Sequence, residues 1–555
     1  MNKAETGRFW GILVAILGIE AALVALGGGV LRFDYQEGDT LHMAALILRS
    51  AAGQVAHLDY ATPIGEWAYR PFALLLQLIR GEGPHGVADA QGLGHAIRWG
   101  QWAVSVLLAP AVGWICWSRF RFWPAVALAV MVLMLPVALV PGGTDTGLTL
   151  SMHYNRWAWA LAIPALVIVL FPPDQGRAGD WADATVLGLA MGLLVLVKVT
   201  YVVALLPGAV VGLLITGRQR LLLRAVLVSL VPLLLVTLAH GIAYWRAYVE
   251  DLLIVMSSSR DHPGLPFLAT VFSPRYTLGT LAALGAAMLL KGIPGRGPMR
   301  VTLLLLLPGL LYITYQNYDN DPLWLAPLGL CLLGLPGPEA DADRERILRT
   351  LGGAMLLLIG PVLLNLAYSP LRPLLARPAE SLAALPGSED FRAGGDRWAR
   401  SVARQYLRPE AEESTSVPLA GRAGAADDGA QDGSVTEASF AGAALPGCGL
   451  ESGALRYFAS SAELLVAGGQ ITDGLQPFVA DRFGLEWLYA GWDPLPGGAP
   501  WYYTGLPGFA AASHLLVPLC AFSPVARREI LAQIDPQTVT LVEETALYRL
   551  YEIRR

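Results

Sequence analysis

Two acidic clusters follow the first hydrophobic segment: Asp34-Tyr35-Gln36-Glu37-Gly38-Asp39, then His57-Leu58-Asp59-Tyr60-Ala61-Thr62-Pro63. A carboxylate beside hydrocarbon is costly unless it is paired, hydrated or bound to a cation, so several at one membrane face suggest a site. These residue types support two chemistries. A positioned carboxylate accepts a proton from an attacking hydroxyl, and paired carboxylates with a nearby histidine hold Mg²⁺ or Mn²⁺ through oxygen ligands. Asp39 and Asp59 are the pair for such an ion. A lone acid in a loop is more simply a helix cap or a solvated side chain. The downstream Asp59 motif shifts Asp39 toward a site, Glu37 stands between the two readings, and Asp34 reads as exposed.

The elements that must position these residues are membrane spans. With 555 residues, 54% hydrophobic and 15% charged, and a mean hydropathy of +0.49, the chain is a polytopic membrane protein. Apolar segments recur at 9–31, 99–117, 123–141, 156–172, 184–197, 200–216, 225–243, 276–290, 301–315, 323–336 and 350–368, about eleven crossings, of which 184–197 and 323–336 are short. Lys3 and Arg8, Arg119 and Arg121, Arg218, Arg220 and Arg224, Lys291, Arg296 and Arg300, and Arg344, Arg346 and Arg349 crowd alternate loops. The positive-inside rule makes those loops cytoplasmic. The stretches 32–98, 142–155, 198–199, 244–275, 316–322 and everything after 368 then face outward. The first apolar stretch reads as a retained helix, since no small-residue cleavage site precedes Arg32. A net charge of −5 gives no reason to expect nucleic acid.

Within the first outward loop, 39–53 and 66–80 read as helices lying along the membrane surface. The first could present Asp39, His42 and Met43 to a cavity. The turn Asn317-Tyr318-Asp319-Asn320-Asp321 is unusually polar between two apolar spans, and reads as sugar-binding or as a connector. Residues 369–555 have the composition of a soluble α/β domain, with a flexible segment near 408–437. Strands are expected at 463–467, 538–542 and 546–551, and a helix at 524–534. Cys448 and Cys520 share that outward compartment, where a disulfide is permitted. Trp99, Trp102, Trp157 and Trp324 read as interfacial belt residues. Nucleophile triads, phosphate-cradling glycine loops and His-Glu-x-x-His are absent.

The arrangement resembles the GT-C superfamily of membrane glycosyltransferases, in particular the bacterial branch similar to protein mannosyltransferases, aminoarabinose transferases and the lipopolysaccharide-modifying transferases of rhizobia. That family keeps an acidic motif past the first span, matched here by Glu37-Gly38-Asp39-Thr40. A motif like Tyr-Phe-Asp-His-Pro-Pro-Leu follows, matched in part by His57 to Gly65. Thr40, where many relatives have Glu, and Ala61-Thr62-Pro63, where they have His-Pro-Pro, depart from the pattern and imply a divergent branch. The resemblance covers roughly residues 9–368.

It implies an inverting transferase of the bacterial inner membrane. Such an enzyme moves a sugar from a polyprenyl-phosphate donor to a hydroxyl of a lipid, glycan or protein acceptor at the outer face. Asp39 is then the base, with Asp59 and Glu37 beside it. Lys198, in Val197-Lys198-Val199-Thr200-Tyr201 where relatives often carry Lys-Tyr-Thr, becomes a donor-phosphate ligand, with Arg156, Arg260 and Arg275 as further cations. His57, Tyr60, Asn317, Asp319, Asn320 and Asp321 are the expected substrate contacts. The competing readings are simpler: Lys198 and Arg156 snorkel to the interface, and His57 and His42 are satisfied by backbone or headgroups. Two other functions stay open. A transporter or flippase for a lipid-linked sugar predicts charges near mid-membrane and two related halves. A noncatalytic scaffold would recruit a partner through its outward domain.

Overall fold

The computed structural model describes residues 1–555 except 34–35, 82, 84, 144–146, 174–178, 259–266, 292, 294–295, 317–320, 335–341, 376–380, 386–387, 395–437, 447–449, 451–453 and 469–474. Six helices are long and apolar enough to cross a membrane: Lys3–Leu26 (α1), Leu93–Arg119, Asp180–Ile215, Gln219–Ser257, Gly297–Gln316 and Asp343–Leu375. Between α1 and Leu93–Arg119 (α4) lie Glu37–Ala51 (α2) and Arg70–Arg80 (α3). Phe122–Val137 (α5) and His153–Leu170 (α6) follow, then Asp180–Ile215 (α7) and Gln219–Ser257 (α8).

Neither α7 nor α8 is one straight rod. Lys198 leaves the helical region (φ −155°, ψ 94°). Arg218, just past α7, lies 3.5 Å from Asp183 near its start, whereas an unbroken helix would hold residues 35 apart about 50 Å from each other. The chain therefore doubles back, with Lys198 at the tip of a helical hairpin. The two legs pack differently. Gly188 and Gly192 sit against Ala225 and Ser229 of α8, and Gly208 against Leu305. At the open end of the hairpin Asp183 receives Arg119 at 2.5 Å and Arg218, with Asp183 and Arg119 both buried. Removing one member of a buried pair leaves a charge uncompensated. Asp183→Ala should therefore cost about 3–5 kcal/mol, read as a lower unfolding temperature of the detergent-solubilised protein, while Arg224→Ala, whose partner Asp180 is exposed, should change it little.

In α8 the break falls at Gly241 (φ 76°, ψ −177°), a conformation that glycine adopts without steric cost. Beyond it the outer half of α8 carries Tyr244, Tyr248 and Asp251 to the first outward loop: Tyr248 donates to the Val195 carbonyl at 2.9 Å, and Asp251 meets His57.

The helix expected at 39–53 exists as α2, but it does not lie on an open surface: every residue from Thr40 to Ala51 is buried. The C-terminal domain covers it. Phe483 stands where a side chain on Gly38 would be, Trp501 meets His42, and Arg49 donates to the Asp59 and Leu495 carbonyls. By contrast α3 is amphipathic as expected, burying Phe72, Ala73 and Leu76 and exposing Leu74, Leu78 and Ile79. The segment before it, Glu66–Ala68, is a short 3₁₀ turn.

Three small sheets complete the chain. Leu31–Phe33 (β1) pairs in parallel with Phe391–Gly394 (β3), which pairs antiparallel with Ser381–Ala384 (β2). The first outward segment and the C-terminal domain thus share one sheet. Ala438–Phe440 (β4) and Ala443–Leu445 (β5) form a hairpin. Pro477–Val479 (β6), His514–Pro518 (β7), Val539–Glu544 (β8) and Tyr548–Ile553 (β9) make a four-stranded sheet in the order β6-β7-β9-β8. The strand expected at 463–467 is instead the end of a helix, Ala454–Ala467. Leu455, Phe458, Ala462 and Leu465 recur at helical spacing and are buried, so period 3.6 outweighs the short apolar run. The helix expected at 524–534 is present as Pro524–Leu531, with Ser523 capping it. Cys520 is disulfide-bonded; Cys448, the partner expected for it, lies outside the described residues.

Trp157 and Trp324 are 3% and 2% exposed, core residues rather than belt residues. Trp102 is half-buried and donates to the Leu17 carbonyl, and Trp99 packs on it edge-to-face.

Candidate functional site

Asp39 enters in the first turn of α2, where the partial positive charge of the helix N-terminus favours an anion. Ser151, in the turn preceding α6, donates to its Oδ2 at 2.7 Å. The next residue is tied to the same turn: Thr40 and Thr149 share a hydroxyl–hydroxyl bond of 2.9 Å, and the Leu150 amide donates to Thr40. Burial pushes the Asp39 carboxyl above its ordinary range, opposed by the Ser151 hydrogen bond and the charge of Arg482. The carboxylate is thus held by one short hydrogen bond inside a poorly solvated site.

Lys198 reaches the same turn from the tip of the α7 hairpin. Its ammonium lies 4.7 Å from the centre of the Tyr154 ring, a cation–π contact. Tyr201, three residues on, donates to the Asn155 carbonyl and sets its ring edge-to-face on Trp159. Ser151 and Tyr154 are three positions apart. A carboxylate and an ammonium from distant parts of the chain therefore converge on one short segment. The tip is braced from the other side by Gly65, whose missing side chain would lie 2.1 Å from the Leu196 carbonyl oxygen.

The cation that sequence reasoning missed is Arg482. Its backbone follows β6 and is pinned at both ends, by Asp481 Oδ1 accepting its amide at 2.6 Å and by its carbonyl accepting from Tyr502. Asp481 also accepts from the Phe522 and Ser523 amides. The guanidinium stacks 5.4 Å from the Trp501 ring, and Trp501 in turn meets His42 of α2. Burial pushes His42 down to about 3, so its ring is neutral. No local motif marks Arg482; only the pairing of the C-terminal domain with α2 places it.

The remaining expected residues divide by position. Asp59 is exposed, and its Oδ2 accepts from the Val55 amide at 2.6 Å, closing a turn. Its carbonyl accepts from Arg49 at the far end of α2, ten residues from Asp39, about 15 Å of helix rise. The two carboxylates belong to opposite ends of the helix. Among the described residues no group of three or more His, Cys, Asp or Glu side chains is placed to hold a metal ion, so Mg²⁺ or Mn²⁺ enters no step below. Glu37 opens α2 one turn from Asp39, and its charge acts on Tyr489 of the C-terminal domain.

His57, with a left-handed backbone (φ 68°), bonds Asp251 at 2.7 Å and packs on Tyr248 and Tyr244. Tyr60 is buried under the Arg49 guanidinium and bonds Tyr69, which makes it part of the packing around α2. Arg156 is buried and donates to the Ala138, Val140 and Ser151 carbonyls, so it holds the turn that carries Ser151. Asp321 accepts from the Gly143 amide at 2.7 Å and braces the same turn. Arg260, Asn317, Asp319 and Asn320 lie outside the described residues, as do Asp34 and the side chain of Arg275 at the start of Pro274–Leu290.

A crevice of about 210 Å³ opens beside Trp501, between the outer half of α8 and the C-terminal domain. A second space of about 370 Å³ adjoins it across Ala499 and Tyr502 and reaches Arg49 and Glu486. Compared with known proteins, the chain finds no matching family model, curated protein or solved structure.

Proposed function

We propose that the chain is an integral membrane glycosyltransferase of GT-C type, with eleven crossings, in the inner membrane of a bacterium. It moves a sugar from a polyprenyl-phosphate donor to an acceptor hydroxyl at the outer face, with inversion. The observation that carries the reading is the convergence of Asp39 and Lys198 on residues 151–154. The eleven crossings count the two legs of α7 separately and add α5, α6 and the helices at 274–290 and 325–333.

In this reaction the acceptor hydroxyl loses a proton as its oxygen attacks the anomeric carbon, and the bond from that carbon to the phosphate oxygen breaks. Asp39, ionised, takes the proton. The departing lipid phosphate is met by the Lys198 ammonium at the hairpin tip, with the Arg482 guanidinium across the site. Burial beneath the C-terminal domain keeps water from competing with the acceptor hydroxyl. Transfer from a radiolabelled polyprenyl-phosphate sugar by the purified protein in proteoliposomes tests the reading, and absence of transfer with every donor and acceptor class would overturn it.

The base works only when ionised, so kcat/KM should rise with pH through the pKa of Asp39. Burial raises that pKa, which places the acidic limb above the ordinary carboxylate range. Ser151 and Arg482 both favour the ionised form. Ser151→Ala and Arg482→Ala should each move the limb to higher pH, measured as the pH profile of kcat/KM. A limb that stays put or moves to lower pH would show that Asp39 is not the titrating base.

One observation favours transport as a second reading: Glu20 is 7% exposed within α1, and an acid buried in a span is a feature of translocation pathways. On that reading Glu20→Gln, and not Asp39→Asn, abolishes function.

A further inference from the structure

We propose that the crevice between the outer half of α8 and residues 499–507 binds a sugar ring of the acceptor, which makes the acceptor a glycan or a glycosylated molecule. The assignment of this sugar to the acceptor rests on the transferase reading; the binding of a sugar does not.

The crevice has the parts that recognise a pyranose. Trp501 and Tyr503 form its aromatic wall, with rings 5.0 Å apart and only 13° from parallel. Both are half-buried, so together they offer a flat amphipathic platform to the apolar face of a sugar. Facing them is Asp251, 7% exposed. Its contacts with His57 and the Thr62 amide both fall on Oδ2, which leaves Oδ1 as the acceptor for a ligand hydroxyl. Thr62, Ile254 and Pro507 close the remaining sides. A concave apolar surface with one fixed carboxylate suits a neutral, hydroxyl-rich ligand.

The backbone is shaped for this platform. Tyr503 (φ 45°) and Thr504 (φ 65°) are consecutive left-handed residues that are not glycine, a conformation that persists where the surroundings enforce it and that clusters at ligand sites. His57, which fixes Asp251 from behind, is left-handed too (φ 68°). Trp501 then links the crevice to the chemistry, because the same side chain carries Arg482 and touches His42 of α2, the helix that begins with Asp39. A ring on this platform places its neighbouring hydroxyls toward the proposed base.

The test is saturation-transfer NMR on the full-length protein in detergent micelles without donor lipid. The probes are methyl α-D-mannopyranoside, methyl β-D-glucopyranoside and methyl α-L-arabinopyranoside, each at millimolar concentration. Saturation should pass to the ring protons of at least one glycoside. Its affinity should fall roughly tenfold in Tyr503→Ala and in Asp251→Asn, and Tyr503→Trp should restore it, which a loss of folding would not allow. No transfer to any of the three glycosides, or equal transfer in wild type and both variants, would overturn the proposal. Binding without turnover from any polyprenyl-phosphate donor would instead remove the transferase reading and leave the sugar site standing.

Discussion

Asp39→Asn is expected to lower kcat about 10²- to 10⁴-fold, the contribution of a positioned general base, while donor binding stays near the wild-type level. The amide keeps the size of the carboxylate and can still meet Ser151, whose hydroxyl bonds Asp39 at 2.7 Å, so the turn before α6 should keep its shape. What is lost is the ability to take a proton. Asp59→Asn is the matching control. Its carboxylate is exposed and spends an oxygen on the Val55 amide, so turnover should change little. Radiolabel transfer under saturating donor separates the two outcomes. Full turnover in Asp39→Asn would remove the catalytic assignment.

Lys198→Ala should reduce kcat/KM about 10²- to 10³-fold, the scale for deleting one donor aimed at developing charge. The loss should appear in kcat as well as in KM, since negative charge on the lipid phosphate grows as the sugar leaves. Lys198→Arg should recover part of the activity, because a guanidinium can also stack on Tyr154, yet its planar fork is not interchangeable with an ammonium. Tyr154→Leu offers an independent probe: it removes the ring 4.7 Å from the ammonium and keeps the charge, so a smaller loss is expected. If Lys198 merely snorkels to the interface, all of these variants will turn over like wild type.

The amino-acid sequence made the membrane class, the two acidic motifs and the place of Lys198 legible, and each for a physical reason. Charge asymmetry between short loops put Lys198 between two apolar legs, and the backbone break at that residue is what a two-residue outward turn requires. Hydrophobic periodicity exposed α3, which keeps one face in lipid. The burial of α2 was not legible. Its pattern is that of a surface helix, and only the C-terminal domain, joined to the first outward segment through β1 and β3, converts that surface into an interior.

Arg482 and Trp501 were missed for the same reason, since they reach α2 across more than 400 positions of chain and carry no motif of their own. Sequence also could not say where a basic side chain spends its donors. Arg156 and Lys198 both border apolar spans, but Arg156 is consumed by three backbone carbonyls, while the Lys198 ammonium rests on an aromatic face.

The central claim is that the lipid phosphate is held at the α7 tip with its sugar beside Asp39. A cryo-EM map of the protein in nanodiscs, saturated with a polyprenyl-phosphate sugar, tests it most directly. The account predicts phosphate density against Lys198 and Arg482, with the anomeric carbon within one acceptor hydroxyl of the Asp39 carboxylate. Donor density bound elsewhere on the protein, with residues 151–154 and the hairpin tip unoccupied, would contradict it.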